Sequence, residues 1–305
     1  MSSIASQLPN DPIDSVQISV PTRRRWLATK VSERVFLATA LLIVTAALLF
    51  LFALIAQLIL DGLPRIESSF FTAGPSRNAE RAGIFPALMG SLWLMGIVAT
   101  FAVPLGIGAA VYLEEYAPKN RLTAFIELNI ANLAGVPSII YGLLGLQLFV
   151  RTLDLGRSVM AGGLTLSLVV LPVIIIASRE ALRTVPRALR EGALALGATQ
   201  WQSIFHHVLP NALPGILTGC ILAFSRAIGE TAPLITMGAL TYVAFAPTDP
   251  LSPFTALPIQ AFNWISRPQA AFHTNAAAAI SVLLVVLLSF NVLAIVLRAK
   301  LERRS

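Results

Sequence analysis

Long apolar runs alternate with short polar stretches along the chain, and these runs set its organisation. An α-helix needs about 20 consecutive apolar residues to cross a hydrocarbon core of ~30 Å. Runs of this kind cover residues 35–60, 87–113, 122–150, 161–177, 212–240 and 276–297, of which the fourth is short. The pattern predicts an all-α polytopic membrane protein with six transmembrane helices.

The polar stretches divide the chain into an N-terminal tail at residues 1–34, a membrane domain at 35–300 and a short end at 301–305. Residues 1–22 hold few large apolar side chains, a composition typical of disorder. The run at 35–60 is longer than the apolar part of a signal peptide, and no small-residue cleavage site closes it. We therefore expect an uncleaved first span.

The charges agree with a membrane protein and give it an orientation. Only 12% of the residues are charged, against about 25% in soluble domains. The net charge of +7 comes without a basic, aromatic-interleaved segment, so nucleic-acid binding is not expected. With a cytoplasmic N-terminus, 15 Lys and Arg residues fall on the cytoplasmic side and six on the other, as the positive-inside rule requires. Both termini and the loop at 179–206 are therefore predicted to be cytoplasmic.

This loop is patterned as two short helices. Apolar residues at helical spacing predict an amphipathic helix that starts after Pro186 and ends at Gly197. Thr199 and Gln202 then have the spacing of a capping box. The second helix would place its apolar side chains at the membrane interface; they are Trp201, Ile204, Phe205 and Val208. An ordinary amphipathic connector remains an alternative for the whole loop.

Two charged residues stand inside the fifth apolar run. An arginine near the centre of a membrane costs roughly 2.5–3.5 kcal/mol to insert. Glu230 lies four residues after Arg226, so the two side chains can pair on one helix face. The arginine offers a forked donor suited to an oxyanion, whereas the alternative is a pair that only neutralises itself. Thr231 and Asn132 are weaker candidates for the same polar passage.

Other polar residues suggest no chemistry of their own. Cys220 is the single cysteine and lies in an apolar run, and the adjacent His206 and His207 point ~100° apart on a helix, so no metal set is expected. Glu114 and Glu115 are expected to form a solvated turn. The chain has no phosphate-binding loop of the type Gly-x-x-x-x-Gly-Lys-Ser/Thr, so it is not expected to be an ATPase.

Several motifs carry a resemblance to a known family. Glu191-Gly192-Ala193, followed by Gly197 and a Leu-Pro pair, resembles the EAA motif of bacterial ABC importer permeases. Gly192 replaces the usual second alanine, and His207 stands where an aliphatic residue is typical. The resemblance implies a helix that couples to a cytoplasmic ATPase through six residues, namely Arg190, Glu191, Gly192, Ala193, Leu196 and Gly197.

Three further stretches resemble the permeases of the phosphate-specific transport (Pst) family: residues 112–116, 133–142 and 226–234. The Thr-Ala-Pro-Leu ending of the last one is similar to the A-type (PstA-like) subunit. This resemblance implies a type I ABC importer permease (MetI-like) fold in the bacterial inner membrane. It also implies a C-type (PstC-like) permease partner, two ATP-binding subunits and an extracytoplasmic phosphate-binding protein. ATP and Mg²⁺ would lie on the ATPase, and no cofactor is expected on this chain.

Three alternative functions remain open from the residues alone. The first is a permease for another oxyanion, such as sulfate, molybdate or phosphonate. The second is a secondary transporter driven by an ion gradient, although such proteins tend to show internal repeats and the chain shows none. The third is a sensory scaffold that reports phosphate status to cytoplasmic partners.

Overall fold

The computed structural model describes residues 23–239 and 242–302, and the regular elements within them are helices. The predicted disordered residues 1–22 and the predicted end of the fifth span at Leu240 lie outside the described residues. Contacts divide the chain into one unit at Met1–Ala56 and a second at Gln57–Ser305, and each is described by itself. The helix α1 (Arg23–Gly62), most of which lies in the first unit, covers the predicted first span and begins at the basic cluster before it.

The second unit contains the remaining helices in chain order. They are α2 (Ser68–Thr72), α3 (Phe85–Val111), α4 (Arg121–Ala134), α5 (Ser138–Gly145), α6 (Val159–Arg183), α7 (Arg187–Ala195), α8 (Gln200–Ser203), α9 (Leu209–Gly229), α10 (Ala232–Thr236), α11 (Leu257–Ile265) and α12 (Ala270–Glu302). π-Helical turns extend α3 through Tyr112–Tyr116 and α5 through Leu146–Thr152, and another at Ile204–Val208 joins α8 to α9. Within the described residues, five helices are long and apolar enough to span a membrane, and α4 with α5 forms a bent pair that makes up to six.

The core of the second unit is formed where α6 packs between α3 and α9. Small residues allow this close packing: a Cβ on Gly163 of α6 would lie 2.5 Å from Ile97 of α3, and one on Gly219 of α9 would lie 2.3 Å from Ala177. A second cluster of buried apolar side chains lies around α11 and α12 and includes Phe70 and Trp264. We call the end of this unit where α6 finishes and α7 begins the α7 end.

The predicted third span is broken rather than merely kinked. α4 and α5 meet at an angle of 101° around Gly135 and Pro137. A proline cannot donate to the carbonyl four residues before it, which here is that of Leu133. That carbonyl instead accepts bonds from the amide of Val136 (3.1 Å) and the hydroxyl of Tyr141 (2.8 Å). The break is therefore stabilised by replacement hydrogen bonds.

The predicted fourth span is too short, because α6 continues for 25 residues to Arg183. The loop predicted at 179–206 thus begins with the last residues of this helix. Arg179 lies within α6 and is buried, but its guanidinium is paired with glutamates from α3 and α4. Sequence hydropathy treats such a charge as the end of a span, whereas ion pairing allows the helix to continue.

Candidate functional site

The predicted fifth span also ends early, and its end creates the polar site. α9 stops at Gly229, Glu230 has an extended backbone (ψ 117°), and α10 starts two residues later with Pro233 in its first turn. Inside a continuous helix, Pro233 would remove the bond to the carbonyl of Gly229 and clash with it. Pro233 therefore favours a break here, and the break begins at Glu230, directly after the helix that carries Arg226.

The predicted pairing of Arg226 with Glu230 is present across this break. Nε of Arg226 donates to Oε1 of Glu230 at 3.1 Å. The arginine side chain is 40% exposed and the glutamate 17%. Among the hydrogen bonds of the described residues, this is the one that Arg226 donates, so its two terminal NH₂ groups stay available. The preceding Ser225 donates to Asn291 of α12 and to its own helix, which fixes the last turns of α9.

The broken span α4–α5 packs directly against this site. A Cβ added to Gly142 of α5 would lie 1.8 Å from Oγ1 of Thr236 and 2.6 Å from the carbonyl oxygen of Pro233. Only a residue without a side chain fits there. Two stretches that resemble the same family, one ending at Gly142 and the other at Leu234, therefore meet in space although about 90 residues separate them in sequence.

The two weaker pathway candidates occupy different positions. Thr231 lies in the break itself, next to Glu230, and its hydroxyl donates weakly to the carbonyl of Gly229 (3.4 Å). Asn132 is exposed in the last turn of α4, where its backbone carbonyl accepts the bond from Gly135 that closes the helix. No described hydrogen bond joins it to Arg226, and its place in a pathway stays a prediction.

The amphipathic helix predicted after Pro186 is confirmed as α7, and Gly197 ends it as predicted. Gly197 has φ of +88°, which is unfavourable for other L-residues. Its amide donates to Leu194, and the amide of Ala198 donates to Ala193. These two bonds form a Schellman motif, which satisfies the carbonyls left open at the end of α7.

The six residues predicted to couple to an ATPase divide between two faces of α7. Glu191, Gly192, Leu196 and Gly197 are exposed, and Leu196 is 91% exposed. Ala193 is buried and Arg190 is half-buried, so both face the bundle. Leu196 lies past the last helical residue, which explains why it does not join Ala193 on the buried face.

The capping box predicted at the start of α8 is confirmed, with bonds in both directions between Thr199 and Gln202. The four apolar side chains predicted on one face instead form two faces. Trp201 and Phe205 are exposed and stack at 5.3 Å between ring centroids, whereas Ile204 and Val208 are buried. Only the first pair is therefore suited to a membrane interface.

Sequence reasoning missed a cluster of ion pairs at the α7 end. Glu114 and Glu115 do not form a solvated turn: the side chain of Glu115 is only 8% exposed and binds Arg190, while Glu114 binds Arg179 and Arg183. The cluster borders a cavity of about 800 Å³ between α3, α4, α6 and α7. One signal was available, since Glu127 stands inside the predicted third span and a charge there needs a partner. That partner is Arg179.

These long apolar helices, with one broken at a charged pair, define an integral membrane protein with polar groups between its helices. The family described as "Binding-protein-dependent transport system inner membrane component" matches residues 102–305. The chain belongs to this family, which makes it an inner-membrane component of a transport system.

The relatives agree with this assignment. The probable ABC transporter permease protein YqgI of Bacillus subtilis is 34% identical over 85% of this chain and 92% of its own length. The phosphate transport system permease protein PstA of Mycobacterium leprae is 32% identical over 96% of both chains. Among solved structures, the bacterial alginate ABC transporter with its pentasaccharide-bound periplasmic protein matches with a TM-score of 0.62 at 17% identity, over 87% of this chain and 94% of that chain. This last likeness concerns the fold.

Proposed function

We propose that this chain is a permease subunit of an ATP-driven importer of inorganic phosphate. The observation that carries the proposal is Arg226, a partly exposed arginine at a helix break with both terminal NH₂ groups available. A guanidinium fork matches the oxygens of a phosphate, and such charge-assisted bonds are stronger than neutral ones. The similarity to a permease named for phosphate transport supports the same substrate.

Glu230 gives the site a way to release its anion. In the absence of phosphate, the carboxylate holds Arg226 through the 3.1 Å bond and offsets its charge. An arriving phosphate competes for the guanidinium, and Glu230 then repels the anion as it leaves. Thr231 and Asn132 contribute polar groups along the same path in this proposal.

α7 is the coupling helix of the proposed importer. Its exposed residues Glu191, Gly192 and Leu196 supply a contact surface for a cytoplasmic ATP-binding subunit, with Gly197 shaping its end. Leu196, which is 91% exposed, would be buried by such a contact. The loop then lies in the cytoplasm together with both termini, as the distribution of basic residues predicts.

The rest of the assembly lies outside this chain. A second, C-type permease subunit completes the passage, two ATP-binding subunits bind ATP and Mg²⁺ and hydrolyse the nucleotide, and an extracytoplasmic protein delivers phosphate. This chain carries no catalytic residue and no cofactor in the proposal. Its work is to bind the anion weakly at the Arg226 site and to change conformation with the ATPases.

Uptake by the purified complex in liposomes tests the proposal. Labelled phosphate should enter only when ATP and the binding protein are present, and excess sulfate, molybdate or phosphonate should leave the rate unchanged. Stronger competition by one of these anions would assign that anion as the substrate instead. Uptake that follows an ion gradient without ATP would contradict an ATP-driven mechanism.

A further inference from the structure

Arg190 fastens α7 to two other helices. Its Nε and Nη2 donate to Oε1 of Glu115 at 3.0 and 2.8 Å, which ties α7 to the π-helical end of α3. Its Nη1 and Nη2 also donate to the backbone carbonyls of Val185 and Leu182, both at 2.8 Å. All three guanidinium nitrogens are thus used, and they join α7, α3 and the end of α6.

A second bond reaches the same place from the other side of Gly197. The side-chain amide of Gln200, at the start of α8, donates to the backbone carbonyl of Glu115 at 2.5 Å. Glu115 therefore accepts from α7 through its side chain and from α8 through its backbone. Because α7 and α8 are both bonded to Glu115, a displacement of α7 acts directly on the end of α3.

The ion pairs continue from α3 to α4. Arg179 of α6 places Nη2 3.6 Å from Oε2 of Glu114 and 2.6 Å from Oε1 of Glu127, which belongs to α4. The Arg179 side chain is only 9% exposed. At low exposure an ion pair is poorly screened, and removal of one partner leaves a buried charge uncompensated. The Glu127 side chain is 33% exposed, so water screens the pair in part, but loss of Glu127 would still leave the buried Arg179 without its shortest ion pair.

α4 has few other attachments that would hold it in place. None of its described residues is buried, so packing constrains it less than α3 or α6. Its far end carries Asn132 and leads into the break at Gly135, where the hydroxyl of Tyr141 bonds to Leu133. A pull on Glu127 is thus transmitted to the broken span that packs on the Arg226 site.

We propose that two sets of ion pairs, Arg190–Glu115 and Arg179 with Glu114 and Glu127, are joined through the adjacent residues 114 and 115 at the end of α3 and transmit movement of α7 to α4 and so to the α4–α5 break. The inference rests on the proposed function in that it takes α7 as the helix that the ATPase moves. It assigns positioning roles to charged residues that touch neither the ATPase surface of α7 nor the anion at Arg226.

The test uses the assembled transporter with a spin label on α4. Ala131→Cys carries the label because residue 131 is exposed near the end of α4 and has no assigned role in the anion path, and Cys220→Ala removes the buried native thiol. The spectrum is recorded without nucleotide and with ATP and vanadate. With intact ion pairs, the mobility of the label should differ clearly between these two states.

Glu127→Ala should reduce this difference at least fivefold while ATP hydrolysis stays above half of its normal rate. Glu180→Ala is the matched control, since Glu180 is also a helical glutamate paired with an arginine, but its ion pair with Arg183 stays within α6 and it is exposed. It should keep the full difference. Glu115→Gln should behave like Glu127→Ala; if it fails to assemble, the Glu127 position, whose side chain is 33% exposed, decides alone.

Three results would overturn the inference: a full spectral difference in Glu127→Ala, an equal loss in Glu180→Ala, or no nucleotide-dependent difference with the ion pairs intact. The readout is independent of the transported anion. A complex that imports no phosphate but loses its spectral difference in Glu127→Ala would refute the proposed substrate and support the inference. A complex that imports phosphate but keeps its full spectral difference in Glu127→Ala would support the proposed substrate and refute the inference.

Discussion

Arg226 and Arg190 are both paired with a glutamate, yet they differ in how much of the guanidinium is used. Arg226 donates one described bond, through Nε, and is 40% exposed. Arg190 donates through Nε, Nη1 and Nη2 to a carboxylate and two backbone carbonyls and is 20% exposed. An arginine with bonds at all three nitrogens is suited to hold structure, whereas one with two unused NH₂ groups can still bind a ligand.

The surroundings of the two arginines differ in the same sense. The partners of Arg190 come from α3, from the end of α6 and from the connection that follows α6, so its position is fixed by three parts of the chain. Glu230, the partner of Arg226, lies at a helix break with extended backbone, and it can move without disrupting a helix. The role of a charged residue in a membrane protein is therefore best inferred from the number of hydrogen bonds that it makes as well as from its depth in the membrane.

The largest expected effect comes from Arg226→Ala. Hydrogen bonds to a charged group contribute about 1.5–3 kcal/mol, so the loss of this donor should lower phosphate uptake by roughly 10- to 100-fold or more. Uptake of labelled phosphate by the reconstituted complex measures the effect. Arg226→Lys keeps the positive charge but lacks the forked donor, so its rate of phosphate uptake should lie between those of the original chain and Arg226→Ala. Uptake that persists unchanged in Arg226→Ala, in a correctly assembled complex, would remove this residue from the pathway.

The next effect comes from the contact that places α5 against the Arg226 site. In Gly142→Ala the new methyl group meets Thr236 and the backbone of Pro233, and such overpacking typically costs about 1–3 kcal/mol. The unfolding temperature of the complex should fall, and phosphate uptake should fall because α10 is displaced. Gly96→Ala is the control, since its Cβ would have no atom within 4 Å. Similar stability of the two variants would show that the approach of α5 to α10 is loose.

The breaks show how far the sequence predicts this site. Apolar runs identify the spans, and local signals at Pro186, Gly197 and Thr199 place α7 and α8 correctly. Proline alone does not identify a break, because Pro104 and Pro172 lie inside continuous helices whereas the chain breaks near Pro137 and Pro233. The carbonyl of Leu133, which Pro137 leaves without its helical donor, accepts a bond from the hydroxyl of Tyr141. No local sequence pattern predicts this contact.

The ion pairs at the α7 end were missed for a related reason. Glu115 and Arg190 are 75 residues apart, and Glu114 and Arg183 are 69 apart, so neither pair has a helical spacing. By contrast, Arg226 and Glu230 are four residues apart, and the sequence predicts their contact. Local pairs can be derived from spacing, whereas pairs that join separate helices depend on the packing of the bundle.

A smaller effect concerns the end of α7, where Gly197 and Gly192 form a matched pair. Gly197→Ala places a Cβ in a left-handed residue, which costs roughly 1–2 kcal/mol. Gly192→Ala lies inside the helix with no atom within 4 Å of the new methyl, and it should stabilise α7 by about 1 kcal/mol. Hydrogen exchange of the α7 amides should therefore speed up in the first variant and slow down in the second. The same direction of change in both variants would contradict this account.

The smallest expected effect concerns Asp249, an exposed carboxylate for which the described residues supply no basic partner. Asp249 accepts bonds from the hydroxyl of Ser252 and the amide of Leu251, and these lower the pKa of its carboxyl from the usual 3.8. The loop around it caps α6, since Val159 and Met160 donate to the carbonyls of Ser252 and Pro250. A lowered pKa stabilises the fold above pH 3.8, and this contribution disappears as the pH falls through the lowered pKa.

Asp249→Asn should therefore be slightly less stable than the original chain at neutral pH, and the gap should stay constant from pH 7 to about pH 4 and close below it. Thermal unfolding across this range measures the gap. The effect is small because the carboxyl is exposed to solvent, which screens it. A gap that closes near neutral pH would point to a titrating group other than this carboxylate.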